Sequence, residues 1–246
     1  MAALQLETRI VEWLRERVRE AGAQGVAVGL SGGIDSAVVA ALARRALGDA
    51  VLGALLPCHS LPQDEEHARL VAERFGIATQ RVDLGAVYDA LLAALPPARR
   101  PLAVANLKPR LRMATLYYLA TERGYLVAGT GNKSELLAGY FTKHGDGGVD
   151  LLPIGGLYKT QVRTLARGLG VPAAIVDKPP SAGLWEGQTD EEELGISYAE
   201  LDRTLAALAA GEREDLDPAA VARVERLQRN SAHKRAMPPV FTPIEV

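Results

Sequence analysis

Four short apolar runs, Val26 to Leu30, Val51 to Leu56, around Arg81 to Leu84, and Tyr125 to Gly129, recur along the first half of the chain, each followed by a stretch with helical spacing. Parallel strands need a crossover helix between them, so this alternation predicts an α/β fold: a doubly wound parallel sheet flanked by helices. Ligands bind such sheets at the carboxyl ends of the strands. Leu6, Ile10, Leu14 and Val18 lie four apart among charges, which predicts an amphipathic helix over 4–21 with a surface or dimer role. After Thr130 the strand signals end. Gly139 to Gly156, rich in glycine and charge, reads as a long mobile loop, and Asp190 to Glu193 as a capping box. Helices resume at Tyr158 to Gly168 and after Asp217, a cap followed by Pro218. Pro96, Pro97 and Pro101 mark a turn, not a boundary. No linker or repeat divides the 246 residues, which are read as one domain, 1–246.

Composition excludes several functions. Hydrophobic residues make up 48% and aromatics 5%, enough for an aliphatic core and too much for a disordered chain. Lys+Arg number 28 against 30 Asp+Glu, and a net charge of -2 supplies no global field for a nucleic-acid backbone or an anionic membrane. The N-terminus is charged throughout and no run reaches about 18 apolar residues, so neither export nor a membrane span is expected. Cys58 is the single cysteine, which excludes an internal disulfide and a thiol pair, reads as a structural thiol, and fits a cytoplasmic location. His59, His67, His144 and His233 lack metal-ligand spacing, and Trp13 and Trp185 read as packing residues.

The sharpest local signal is Gly29-Leu30-Ser31-Gly32-Gly33-Ile34-Asp35-Ser36, between the first strand and the helix from Ala37 to Leu47. Glycines turn the backbone tightly and bring N–H groups to an anion, while the helix start adds partial positive charge, so phosphate is the natural guest. A Walker loop would add Gly-Lys-Ser/Thr, whereas this loop carries Asp35 and Ser36, a pyrophosphate grip with a built-in metal ligand. Glu135 follows the fourth strand near its carboxyl end, within reach of Asp35 across the sheet's rim. Two carboxylates with phosphate oxygens suit Mg²⁺. Lys159, early in its helix, is placed to neutralise a leaving pyrophosphate, and Thr130 and Ser181 offer hydroxyls to a nucleotide. Arg110 and Arg112 are two apart on a helix and point in different directions.

The loop resembles that of the N-type ATP pyrophosphatases, which cleave ATP between the α and β phosphates. Further blocks follow in order: Asn106 to Met113 (NLKPRLRM), Gly129 to Glu135 (GTGNKSE), Gly139 to Asp150 (GYFTKHGDGGVD), Leu157 to Val162 (LYKTQV), Lys178 to Gln188 (KPPSAGLWEGQ) and His233-Lys234-Arg235. Together, from about residue 4 to the C-terminus, they resemble the ammonia-dependent NAD synthetase family. That resemblance implies an adenine nucleotide alpha hydrolase-like fold and a two-step ligation. ATP adenylates the nicotinate carboxylate of deamido-NAD with loss of pyrophosphate, and ammonia then displaces AMP to give NAD. It implies ATP contacts from residues 29–36, Thr130, Lys159 and Ser181, and metal ligation by Asp35 and Glu135. It implies deamido-NAD contacts from Arg110, Lys143, Asp150, His233 and Lys234, and a homodimer.

Asp35, Glu135 and Lys159 are the expected catalytic set. On the loop alone, a GMP synthetase core, a tRNA-modifying enzyme and a non-catalytic nucleotide-binding regulator are also open. The KPPSAGLWEGQ and GYFTKHGDGG blocks have no place in the first two, and retention of Asp35 and Glu135 argues against the third. Many relatives carry an arginine before Leu-Pro near the adenine, where this chain has Ala54-Leu55-Leu56-Pro57. A glutamine-dependent synthetase carries an attached amidohydrolase domain. The synthetase blocks occupy this sequence, so free ammonia is the expected donor and a separate glutaminase partner stays open.

Overall fold

The computed structural model describes residues 2–185 and 187–242. Helix α1 (Ala2–Glu20) leads into strand β1 (Gly25–Gly29), then α2 (Ile34–Leu47), β2 (Val51–Leu55), α3 (Pro62–Phe75), β3 (Ala78–Arg81), α4 (Gly85–Ala94), α5 (Pro101–Ala105), α6 (Leu107–Thr121) and β4 (Tyr125–Val127). The second half is helical: α7 (Lys133–Ala138), α8 (Lys159–Leu169), α9 (Ala173–Val176), α10 (Asp190–Leu194), α11 (Tyr198–Ala210) and α12 (Pro218–Arg235). The strands form one parallel sheet in the order β3-β2-β1-β4, with Val26 level with Val51 on one side and Leu126 on the other. The order reverses between β1 and β4, which opens a crevice beyond their carboxyl ends.

Alternation along the strands sorts the core into two layers. Val26 and Val28 of β1 face a cluster with α1, α2 and α8, while Ala27 faces the opposite cluster under α4 and α6. Helix α2 is alanine-rich and buried on almost every side, so its backbone lies close to β1, α1 and α8 at once. A third cluster, with Leu201, Leu205 and Val224, joins α7, α11 and α12 into a unit beside the sheet.

Several expectations need correction. Helix α1 is no mere surface helix: Ile10, Val11, Leu14 and Val18 are buried against α2 and α8. Strand β3 begins three residues before the run expected around Arg81 to Leu84. Its sequence, Ala-Thr-Gln-Arg, is an edge strand without an apolar stripe. The apolar residues that follow it donate Val82 N to Leu55 O and Leu84 N to Pro57 O, leading the chain into α4. The segment from Gly139 to Gly156 is tied down along its length. Asp150 N and Leu151 N donate to Val127 O, Gly129 N donates to Leu151 O, and Ala128 bridges Leu151 in parallel. Asp190 does not open a capping box, because Thr189 is the N-cap and caps nothing with its side chain. Among the described residues no helix is long and apolar enough to cross a membrane.

Candidate active site

The loop after β1 is built as its sequence demands. Gly32 sits at φ +77, and a Cβ there would collide with the carbonyl oxygen of Asp64 at the start of α3. Only glycine fits that approach. Ser31 N donates to Ser36 Oγ at 3.2 Å, and Ser36 Oγ donates to Gly33 O at 2.9 Å, which folds the loop back on the first turn of α2. Gly33, the N-cap, has no side chain to occupy that turn. The positive end of a long helix therefore opens directly onto the crevice.

Beside it lies a buried charge cluster. Lys159, the first residue of α8, donates through Nζ to Asp35 Oδ2 and, at 3.2 Å, to Glu135 Oε1. Its side chain is only 3% exposed, against 16% for each carboxylate. Asn132, at the cap of α7, fixes both acids. Its Nδ2 donates to Asp35 Oδ1 at 3.0 Å, its Oδ1 accepts from Glu135 N at 3.0 Å, and its own N–H donates to Glu135 Oε2 at 3.1 Å. Burial drives the Glu135 pKa up to about 8, the Asp35 charge adds to the rise, and the Lys159 ammonium offsets only part of it. The two acids beside it hold the Lys159 ammonium above its ordinary range, and the ring of Tyr198 lies 5.0 Å beneath it.

This cluster forms the floor of a cavity of about 1180 Å³, larger than the roughly 300–1,000 Å³ typical of a site for one small ligand. Two nucleotides fit such a volume better than one. Of the loop residues expected at phosphate, Gly29, Leu30, Ser31, Gly33, Ile34, Asp35 and Ser36 line it, and Gly32 lies behind the wall. Thr130 and Ser181 line it as well. One wing, over the end of β2, is apolar, with Ala54, Leu55, Leu56 and Pro57. The other is cationic, with Arg110, Lys143, His233 and Lys234. Lys143 Nζ donates to His233 O at 2.7 Å, while Lys234 Nζ donates to Gly139 O and Phe141 O, each at 2.8 Å. The C-terminal helix is thereby pinned over the loop that follows α7.

Asp150 is the one site candidate besides Gly32 that does not line the cavity. Its carboxylate accepts from Val127 N at 2.8 Å and from Tyr117 Oη at 2.9 Å, at the edge of the sheet. Trp185, expected as a packing residue, is 46% exposed and lines the cavity. Cys58 is fully buried, as a structural thiol should be.

Other site features escaped the linear reading. Lys178 pairs with Asp64 at 2.5 Å, and buried Lys108 donates Nζ to Leu184 O at 2.8 Å, so the segment over 178–184 is held across the cavity mouth at both ends. Arg112 donates to Leu56 O at 3.0 Å and Ser60 Oγ at 3.1 Å, bringing a guanidinium from α6 to the apolar wing. Buried Asp190 accepts from Tyr198 Oη at 3.0 Å while its other oxygen has no hydrogen-bond partner among the described residues. None of these contacts has a local sequence signal, whereas the Asn132-x-x-Glu135 box described above has one, the spacing of a reciprocal helix cap.

Comparison with known proteins agrees with this geometry. The NAD synthase family model matches residues 6–238. An NH(3)-dependent NAD(+) synthetase of Carboxydothermus hydrogenoformans is 52% identical over 236 residues, which cover 94% of this chain and 95% of that protein. An NMN synthetase of Francisella tularensis superposes with a TM-score of 0.90 at 37% identity, covering 99% of both chains. An NH3-dependent NAD synthetase of Campylobacter jejuni, solved with nitrate, superposes with a TM-score of 0.87 at 30% identity over 98% of this chain and 100% of that one. The fold is the adenine nucleotide alpha hydrolase-like one of these neighbours. Matched along nearly its whole length in sequence and in structure, the chain belongs to the NAD synthase family.

Proposed function

We propose that the protein is an ammonia-dependent carbon–nitrogen ligase that converts deamido-NAD to NAD while cleaving ATP to AMP and pyrophosphate. The observation that carries this reading is the uncapped start of α2 beside Lys159, Asp35 and Glu135, facing a cavity large enough for two nucleotides. The loop over 29–36 holds the β and γ phosphates of ATP at the helix N-terminus. Lys159 neutralises charge on the phosphoryl group, and Thr130 and Ser181 bond the nucleotide from the cavity wall. The apolar wing at Leu55 and Leu56 takes the adenine. The cationic wing of Arg110, Lys143, His233 and Lys234 takes the phosphates of deamido-NAD, with Asp150 reached at its outer edge.

A nicotinate oxygen attacks the α-phosphorus, the bond to the β-phosphate oxygen breaks, and pyrophosphate leaves. The nitrogen of ammonia then attacks the acyl carbon, the bond to AMP breaks, and a proton is released. No covalent enzyme intermediate is needed, so the chain's task is positioning and charge neutralisation.

Asp35 and Glu135 fit a magnesium ion. They are two acids, each 16% exposed, that share a single ammonium, so a cation could take the place of the proton that Glu135 holds. Among the described residues no group of three His, Cys, Asp or Glu side chains gathers as a metal cluster, and an ion held by Asp35 and Glu135 would leave room for phosphate oxygens. When bound, Mg²⁺ neutralises charge on the phosphates of ATP. The chain supplies a synthetase domain that takes free ammonia and pairs as a homodimer.

The decisive assay mixes the protein with Mg·ATP, ammonium and deamido-NAD. AMP, pyrophosphate and NAD are expected, and Asp35→Asn is expected to lose adenylation. Release of ADP and orthophosphate sinks the reading. A second reading, amidation of a nicotinate mononucleotide, is favoured by the TM-score of 0.90 to the Francisella NMN synthetase. The same assay with the mononucleotide separates them, and the cationic wing beyond the phosphate loop supports the dinucleotide.

A further inference from the structure

The start of α8 is capped in an unusual way. Its N-cap, Tyr158, makes no side-chain cap, so the first N–H groups of α8 must find acceptors elsewhere. They find them on two other helices. Lys159 N donates to Ser134 Oγ of α7 at 2.9 Å, and Thr160 N donates to Asp202 Oδ2 of α11 at 2.9 Å. Ser134 Oγ in turn donates to Asp202 Oδ1. All three side chains are buried: Ser134 is 0%, Lys159 2% and Asp202 5% exposed. Helix α11 also supplies Tyr198, whose ring lies under the Lys159 ammonium. Ser134, Tyr198 and Asp202 are absent from the cavity lining, so they act from behind its wall.

We propose that Asp202 and Ser134 form a tertiary helix cap whose function is to position Lys159, making both of them positioning residues for the phosphoryl-transfer step. The proposal rests on the reading of Lys159 as the cation that meets the transferred phosphoryl group. The chemistry of the network is specific. A carboxylate can accept from both Ser134 Oγ and Thr160 N, and Ser134 can then accept from Lys159 N while donating its own proton. An asparagine at 202 would aim an amide N–H at one of those two donors. The buried charge also sits at the positive end of α8, where an anion is favourable. If the first turn of α8 shifts, the ammonium leaves its place between Asp35 and Glu135, and misplacement by about 1 Å costs on the order of a hundredfold in rate.

The test is a double-mutant cycle on the full chain. Pyrophosphate release is followed with radiolabelled ATP in the wild type, Ser134→Ala, Lys159→Gln and the double variant, and melting temperature is measured for each. Ser134→Ala is expected to lower kcat by about ten- to a hundredfold with the KM for deamido-NAD unchanged within about twofold. In the Lys159→Gln background the same change is expected to cost nothing further, because its effect passes through Lys159. Asp202→Asn should show the same kcat loss, and Ser134→Ala carries the test alone if that variant fails to fold. An equal loss in both backgrounds would overturn the proposal, since a merely structural role lowers kcat regardless of residue 159. Full kcat in Ser134→Ala would overturn it too. Full kcat in Lys159→Gln would instead remove the reading of Lys159 on which the proposal stands.

Discussion

Glu135 shares one ammonium with Asp35 in a site nearly closed to water, so its carboxyl holds its proton up to about 8, where an unfolded glutamate would release it near 4.5. Between these two values the folded chain binds more protons than the unfolded one. Stability of the metal-free protein therefore falls as pH rises through that window, at up to about 1.4 kcal/mol per pH unit. Replacing Glu135 by glutamine is expected to flatten the slope, and chemical denaturation at a series of pH values in chelator measures it. An unchanged slope in Glu135→Gln would place the effect on another group. A divalent cation would displace that proton, so the carboxyl behind this pH dependence is the one proposed as a metal ligand.

At the scale of elements, the junction between α7 and α12 decides whether the cationic wing is assembled. Gly139 ends α7 at φ +72, and a Cβ there would run into the Cβ and Oγ of Ser231 on α12. Its carbonyl accepts from Lys234 Nζ at 2.8 Å, so the turn both admits the last helix and anchors it. Gly139→Ala adds left-handed strain of about 1–2 kcal/mol and overpacking of about 1–3 kcal/mol. The expected outcome is a melting temperature lower by several degrees, together with a raised KM for deamido-NAD and a smaller change in the KM for ATP. Thermal melts and initial-rate kinetics check both parts. Equal changes in the two KM values would mean that α12 does not serve one substrate wing alone.

For the molecule as a whole, the face around α4, α5 and α6 stays unburied in the single chain. Val87 is 51%, Leu95 44%, Leu102 58% and Tyr118 66% exposed, and Tyr118 neighbours Tyr117, which holds Asp150 at the sheet edge. A second copy of the chain on this face would cover these side chains and bring a partner surface to Asp150, the dinucleotide candidate that the single chain leaves outside its cavity. Sedimentation is expected to show a dimer, and Leu102→Asp with Tyr118→Asp to shift it toward the monomer. A wild-type monomer at micromolar concentration would end that reading.

The sequence by itself determined the alternation of strand and helix and the glycine turn after β1, and it singled out Asp35, Glu135 and Lys159, because periodicity, glycine content and charge are local properties of a chain. It misplaced β3, whose Ala-Thr-Gln-Arg carries no apolar stripe, and it mistook the tied loop over 139–156 for a mobile one. Only the tertiary structure decided that one lysine lies between two acids, that Asn132 holds both, and that Asp202, more than forty residues downstream, caps the turn on which Lys159 sits. Each is a contact between groups distant in sequence but brought together by the core, and no local preference encodes which distant donor a buried acceptor will meet.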